Sequence, residues 1–306
     1  MKSGFNWEPV LNNMRSKLRD YVVGCNLKSL VLGVSGGIDS ALVAAIASPV
    51  CYELKIPLIG FYLPTSSNQA DEEVRSVAIG HEFCHSYHYY DISDLVTPLI
   101  SACLRNSNTL SSESLKTRVA FGNIKARIRM IMLFDKAFDF NGMVLGTDVL
   151  TELYLGFWTL HGDVGNYGLI QNLWKTEVYD LAQWMVTNEN ANNKCAAKAL
   201  TACITATPTD GLGITDSDLE QLGASSYTEV DKILKTWLTN NYLMFTDSLD
   251  LKYEGRTEDY DTFKEYRDTL ATHPVVQRYE RTHFKRQDPC NLSRVDLFAG
   301  INLEGS

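Results

Sequence analysis

The stretch LVLGVSGGIDSALVAAIA, residues 30–47, decides how the rest of the chain is read. An apolar run ending at Gly33 and Val34 leads into Ser35, Gly36, Gly37, Ile38, Asp39 and Ser40, and an alanine-rich helical pattern follows. A glycine pair between a strand and a helix lets the backbone approach an anion, and the helix start aims its free N–H groups and its dipole at it. Ser35 and Ser40 add hydroxyl donors. Five fixed positions of an SGGxDS pattern fall together by chance in fewer than about one chain in a thousand at average residue usage. The stretch has neither the lysine of a GKS/T phosphate loop nor the spacing of a GxGxxG fingerprint. It carries an acid, Asp39, in a place built for an anion.

Outward from the loop, strand and helix signals alternate. IPLIGFYLP (56–64), SYHYYDI (86–92) and GMVLGTD (142–148) read as strands. Residues 38–48, QADEEVRSVAIGHEF (69–83), SDLVTPLISACL (93–104) and the amphipathic stretch 120–140 read as helices. This rhythm predicts an α/β fold with a doubly wound, mostly parallel sheet. Ligands of such sheets bind beyond the carboxyl ends of the strands, where SGGIDS, LPTSSNQ and GTD fall. After residue 150 the pattern loosens into C-terminal helical additions: 175–185, 226–240 and 257–285 read as helices, and 205–223 as a long ordered loop or lid. With no repeat or low-complexity tract, the expectation is a single domain over 1–290 and a loose tail over 291–306.

Composition narrows the class. The 306 residues are 45% hydrophobic and 21% charged, which is ordinary globular composition. A net charge of −9 argues against a nucleic-acid partner, since the basic residues cluster only at Arg278, Arg281, Lys285 and Arg286. No apolar run long enough to span a membrane and no signal peptide occur, so a cytoplasmic protein is expected. Cys25, Cys51, Cys84, Cys103, Cys195, Cys203 and Cys290 are scattered without a CxxC pair, which argues against a disulfide framework and a cysteine zinc site. HEFCH (81–85) does match the HExxH zinc motif, with His88 nearby. Gly80 and the strand-like SYHYYDI end the helix within that motif, and no acidic third ligand follows, so zinc hydrolysis is a remote alternative.

SGGIDS resembles the pyrophosphate loop of the N-type ATP pyrophosphatases, which cleave ATP between its α- and β-phosphates and activate a substrate as its adenylate. The resemblance implies a sheet of the adenine-nucleotide α-hydrolase type, β- and γ-phosphates held by residues 33–40, and Mg²⁺ on Asp39. GNIKARIRMIML (122–133), GTDVLTELYLGFWTLHGDVG (146–165), LWKTEVYDLA (173–182), PTDGLGITDSDLEQLGASSYTEVDKIL (208–234), LPTSSNQADEE and FKRQDP occur in order. Together they are similar to ammonia-dependent NAD synthetase over about residues 10–290. This implies ATP contacts at Gln69, Thr147, Lys175 and Thr209, a second Mg²⁺ carboxylate at Glu152, and deamido-NAD contacts at Arg127, Phe157, Asp163 and Lys285. Gln69 also reads as a helix cap. Lys175 would supply the cation that the loop lacks.

The chain departs from the family where FFTKxGDGGAD is common. Leu160 stands for a substrate-contacting lysine, and Tyr167, or Asn166 in a shorter loop, for an acid; His283 is out of step with the family's HKR. The implied reaction joins deamido-NAD⁺, ATP and ammonia into NAD⁺, AMP and pyrophosphate, with no covalent nucleophile. About thirty residues precede the loop, so free ammonia, or a glutaminase on another polypeptide, is the expected donor. The family also implies a homodimer, and the 120–140 helix is the candidate for the contact. The alternatives are a tRNA-modifying adenylase of the same superfamily, which would want a basic groove, and a catalytically silent nucleotide-binding protein.

Overall fold

A computed structural model describes residues 5–105, 114–209, 214, 217–247 and 268–287. In chain order the elements are α1 (Glu8–Gly24), β1 (Ser29–Gly33), α2 (Ile38–Leu54), β2 (Leu58–Tyr62), α3 (Ala70–Phe83), β3 (Ser86–Tyr89), α4 (Ser93–Arg105), α5 (Leu115–Asp139) and β4 (Gly142–Gly146). They continue with α6 (Leu150–Leu155), β5 (Tyr167–Gly168), α7 (Lys175–Thr187), α8 (Lys194–Thr205), α9 (Asp218–Leu222), α10 (Tyr227–Asp247) and α11 (Pro274–Arg281), and a short 3-10 turn follows at His283–Gln287.

The strands form one five-stranded parallel sheet in the order β3-β2-β1-β4-β5. The chain leaves β1 toward one edge and returns across it to β4, so the switch in strand order lies between β1 and β4. The SGGIDS loop and the GTD segment both sit there, at the carboxyl ends, as the sequence rhythm predicts. Alternate strand residues are buried on opposite faces, as a sheet covered on both sides requires. Leu30, Leu32, Leu58, Met143 and Leu145 join the core with α1, α2, α7 and α8. Val31, Ile59, Phe61 and Val144 join the core with α4 and α5. A third core, around Leu155, Val230, Leu234, Trp237 and Val275, packs α6, α9, α10 and α11 together. Part of the loosened pattern after residue 150 goes here, while α7 and α8 join the first core.

Several boundaries differ from the sequence reading. The loop helix does not stop at 48; α2 runs through Pro49 to Leu54. Proline removes the N–H that Ala45 O would accept, and Arg15 on α1 compensates, with Nη2 to Ala45 O at 3.4 Å and Nε to Ile46 O at 3.3 Å. The helix over 120–140 starts earlier, at Leu115, where Ser114 caps it by accepting from Thr117 N–H at 3.2 Å. α1, α6, α8 and β5 are additions to the reading. Part of the 205–223 loop is helix, since α8 reaches Thr205 and α9 spans Asp218–Leu222. The 257–285 helix is broken before Pro274, its first part and the 291–306 tail lie outside the described residues, and no described helix is long and apolar enough to cross a membrane.

Candidate active site

The loop is fixed from both sides. Val34 N–H donates to Phe61 O at 2.8 Å, and Val34 O accepts from the Ser76 hydroxyl on α3. Gly36 takes φ +82°, and a Cβ there would lie 2.3 Å from Glu72 O. Both the turn and the close approach of α3 therefore require glycine. The buried Ser40 hydroxyl accepts from Ser35 N–H at 3.2 Å and donates to Gly37 O at 3.1 Å. It shapes the loop from behind. Ser35, Gly37, Ile38 and Asp39 line a cavity of about 830 Å³, with the start of α2 opening onto it. That volume suits a nucleotide-sized ligand.

Lys175, the first residue of α7, answers the question of the acid in the loop. Its ammonium is 2.7 Å from Asp39 Oδ2 and 2.9 Å from Glu152 Oε1, and the residue is 2% exposed. Burial works against the charge, but the two carboxylates outweigh it and hold the lysine pKa well above its ordinary value. Burial pushes Glu152 up to about 8, against the pull of Lys175. Asp39 Oδ1 is buried with no protein hydrogen bond. Asp231 on α10 braces the start of α7 by accepting from Thr176 N–H at 2.9 Å and from the Thr151 hydroxyl at 2.5 Å. Next to the triad, Thr147 and Asp148 of GTD face the cavity. Burial, then Asp163 and Asp39, push Asp148 up to about 7.

On the α3 side, Glu72 is 6% exposed and accepts from Thr209 Oγ1 at 3.0 Å and Asn68 Nδ2 at 2.7 Å. Thr209 is thus drawn to the loop's wall. Arg129 enters from α5, with Nε to Leu63 O at 3.0 Å and Nη2 to Asn68 Oδ1 at 3.0 Å. At the other end, Phe157, Trp158 and Asp163 line the cavity with Arg278 and Lys285. Arg278 lies over the Phe157 ring at 4.8 Å and donates to Leu155 O at 3.1 Å. Lys285 donates to Gly156 O at 2.7 Å and to Trp158 O. These cations sit at the carboxyl end of α6, where helix carbonyls are unpaired. Burial, then Arg278, lowers the Lys285 pKa to about 8. Burial raises Asp163, against the hydrogen bonds it accepts from Thr159.

Of the residues singled out from the sequence, Gly33, Val34, Ser35, Gly37, Ile38, Asp39, Thr147, Glu152, Phe157, Asp163, Lys175, Thr209 and Lys285 meet at one cavity. Gly36 and Ser40 build the loop without lining it. Gln69 is exposed at the start of α3, where its N–H donates to Glu72 Oε2 at 3.4 Å. Arg127 is exposed and donates to Leu160 O at 3.1 Å. Tyr167 packs on Tyr21 of α1 with ring centres 4.9 Å apart, and Asn166 Oδ1 accepts from Val144 N–H at 2.9 Å. The position of the family's acid is used here to hold β5. Asn68, Glu72, Arg75 and Arg129 line the cavity without having been singled out. KARIRM signals Arg129 only through helix period, since two residues turn a side chain to the opposite face from Arg127. The HEFCH histidines do not share a helix face. α3 ends at Phe83, His81 is exposed, and His85 Nδ1 accepts from Leu58 N–H at 3.1 Å.

A family model described as NAD synthase matches residues 10–289. The chain belongs to the NAD synthase family. The NH(3)-dependent NAD(+) synthetase of Methanosarcina mazei is 33% identical over 292 residues, which cover 92% of this chain and 96% of that one. Two solved structures share the fold at lower identity. The NH3-dependent NAD synthetase from Campylobacter jejuni superposes with a TM-score of 0.63 at 24% identity, covering 94% of this chain and 100% of that one. The NMN synthetase from Francisella tularensis superposes with a TM-score of 0.65 at 22% identity, covering 94% and 98%. The sheet is therefore the adenine-nucleotide α-hydrolase type of the NAD synthetases, as the loop implied.

Proposed function

We propose that the chain is a C–N-forming ligase that uses ATP to amidate deamido-NAD⁺ with ammonia, giving NAD⁺, AMP and pyrophosphate. The observation that carries this reading is the convergence of the SGGIDS loop, the Asp39–Lys175–Glu152 triad and Thr209 on one cavity, in a chain of the NAD synthase family. A carboxylate is a poor acyl donor, because its leaving group would be an oxide. In the first step its oxygen bonds to the α-phosphorus, the bond from that phosphorus to the bridging oxygen breaks, and the electron pair leaves with pyrophosphate. In the second, ammonia adds to the acyl carbon, AMP departs with its electron pair and the nitrogen loses a proton. Neither step needs a protein nucleophile.

The protein positions groups and balances charge. The loop and the start of α2 hold phosphate oxygens on N–H groups, Lys175 stands beside them, and Thr147 and Thr209 offer hydroxyls. Phe157 presents a ring for the nicotinate, with Asp163 and Lys285 beside it. Asp39 and Glu152 fit Mg²⁺: both offer hard oxygens, they share one ammonium, and Asp39 Oδ1 is buried without a protein partner. When bound, Mg²⁺ supplies charge neutralisation for phosphate oxygens. Consumption of ATP suits a cytoplasmic setting.

A homodimer is part of the same reading. Ile131, Phe134 and Phe138 form an outward apolar stripe on α5, with Phe138 85% exposed, and Leu95 and Leu99 are exposed on α4. A second copy of the chain is their proposed cover, and sedimentation at a single-chain mass would reject it. The activity is tested with ATP, Mg²⁺, ammonium chloride and deamido-NAD⁺. The expected result is NAD⁺ and pyrophosphate in equal amounts, with NAD⁺ dependent on ammonium. No NAD⁺ across a range of pH and ammonium would overturn the reading.

A further inference from the structure

Arg75 is a cation at the phosphate loop that the sequence pattern hides. It stands on α3, its side chain is 13% exposed, and it lines the cavity with Ser35, Gly37 and Asp39. Its Nε donates to Gly36 O at 2.9 Å, and one terminal nitrogen pairs with Asp71, four residues earlier. Among the described residues, no hydrogen bond engages its other terminal nitrogen.

Two consequences follow from this placement. The Gly36–Gly37 peptide is planar, and its carbonyl and N–H point in opposite directions. Tethering Gly36 O to a guanidinium therefore turns Gly37 N–H the other way, where it meets Ser35 Oγ at 3.2 Å. Arg75 also brings a permanent positive charge in a planar, multi-donor form that matches phosphate oxygens. Lys175 stands between two carboxylates, so its triad offers no net positive charge. Asp71 is 63% exposed, and water shares in its compensation of Arg75.

We propose that Arg75 is a further phosphate-binding residue, taking the terminal phosphates of ATP, and the pyrophosphate they become, on its outer guanidinium edge while its Nε holds Gly36 O. The inference rests on the ATP-cleaving reading above. It assigns Arg75 no proton transfer. As the bond from the α-phosphorus breaks, the electron pair gained by pyrophosphate lies beside a fixed cation. AMP carries neither terminal phosphate, so Arg75 contributes to pyrophosphate and ATP binding and not to AMP binding.

The test is calorimetric titration of the whole chain with pyrophosphate in Mg²⁺, with ATP and with AMP, for the wild type, Arg75→Gln, Arg75→Lys and a remote control, Arg19→Gln. Arg19 pairs with Glu53 between α1 and α2, away from the cavity. Arg75→Gln is expected to weaken pyrophosphate and ATP roughly 10- to 30-fold, the size of a lost charged hydrogen bond, with AMP unchanged within about twofold. Arg75→Lys keeps the charge and falls between. In turnover, the KM for ATP rises and that for deamido-NAD⁺ does not. Unchanged pyrophosphate binding in Arg75→Gln, or an equal loss for AMP, would overturn the assignment. A wild type that binds neither ATP nor pyrophosphate would overturn the ATP reading itself, a failure distinct from that of Arg75.

Discussion

At one end of the cavity the functional groups are backbone N–H groups and short side chains. They are fixed by β1 and by α2, a helix buried around most of its surface. At the other end Phe157, Trp158 and Lys285 rest on the third core, built from α6, α9, α10 and α11. At the first end the most buried cation, Lys175, meets two carboxylates, Asp39 and Glu152. Cations at the second meet main-chain carbonyls, as Arg278 and Lys285 do at the end of α6. The first end is charge-balanced by side chains. The second uses its charges to hold a turn of backbone, and leaves ring faces toward the ligand. Under the proposed function, the first end is assigned to the phosphates and the second to the nicotinate ring.

The sharpest way to break this contrast is at Asp39. Asp39→Asn should lower pyrophosphate release by about 10³-fold, in the range seen when a key charge-stabilising group is removed. The fold should survive, because Lys175 keeps Glu152. Turnover near that of the wild type would remove Asp39 from the phosphate chemistry.

The next largest effect is on stability. Asp148 has a folded pKa of about 7, against roughly 3.9 for a solvated aspartate. Between those values the folded chain binds the extra proton, so its stability should fall as pH rises from about 4 to about 7, by up to roughly 4 kcal/mol. Asp148→Asn should make that limb shallower, with the raised Glu152 and Asp163 keeping the rest of it, in urea unfolding followed without Mg²⁺ or ATP. Parallel wild-type and variant curves would show that Asp148 is not held protonated. The smallest effect separates the two ends. Lys285→Ala should raise the KM for deamido-NAD⁺ about tenfold, the cost of one modest charged contact, with the KM for ATP within about twofold. An equal rise for both substrates would mean that the ends act as one unit.

The loop end of the cavity was legible in the sequence because its signals are local. A strand, two glycines, an acid and a helix lie within residues 30–47, and Lys175, Glu152 and Thr209 came with blocks that resemble the family's. Arg75 was not legible, because its spacing of four from Asp71 reads as a solvated surface pair on a helix. Arg127 and Arg129 share one block, and only the sheet's position tells which faces the cavity. The loop helix reads only to 48 in the sequence, since the donor that rescues Ala45 O ahead of Pro49 comes from Arg15, thirty residues before Ala45. Such groups are set by tertiary neighbours, which spacing along the chain does not record.

Arg15 also contacts Glu189, beyond the end of α7, at 2.6 Å. One side chain thereby pins α1, the proline in α2 and the segment after α7. Pro49 lies ten residues along α2 from Asp39, about 15 Å at helical rise. α2 is a rod with the reactive loop at its tip and this pin partway along its shaft. A fusion partner that pulls α1 off the body would break these Arg15 contacts without touching any group that lines the cavity. The seating of the first helix is thereby tied to the helix whose start opens onto the cavity.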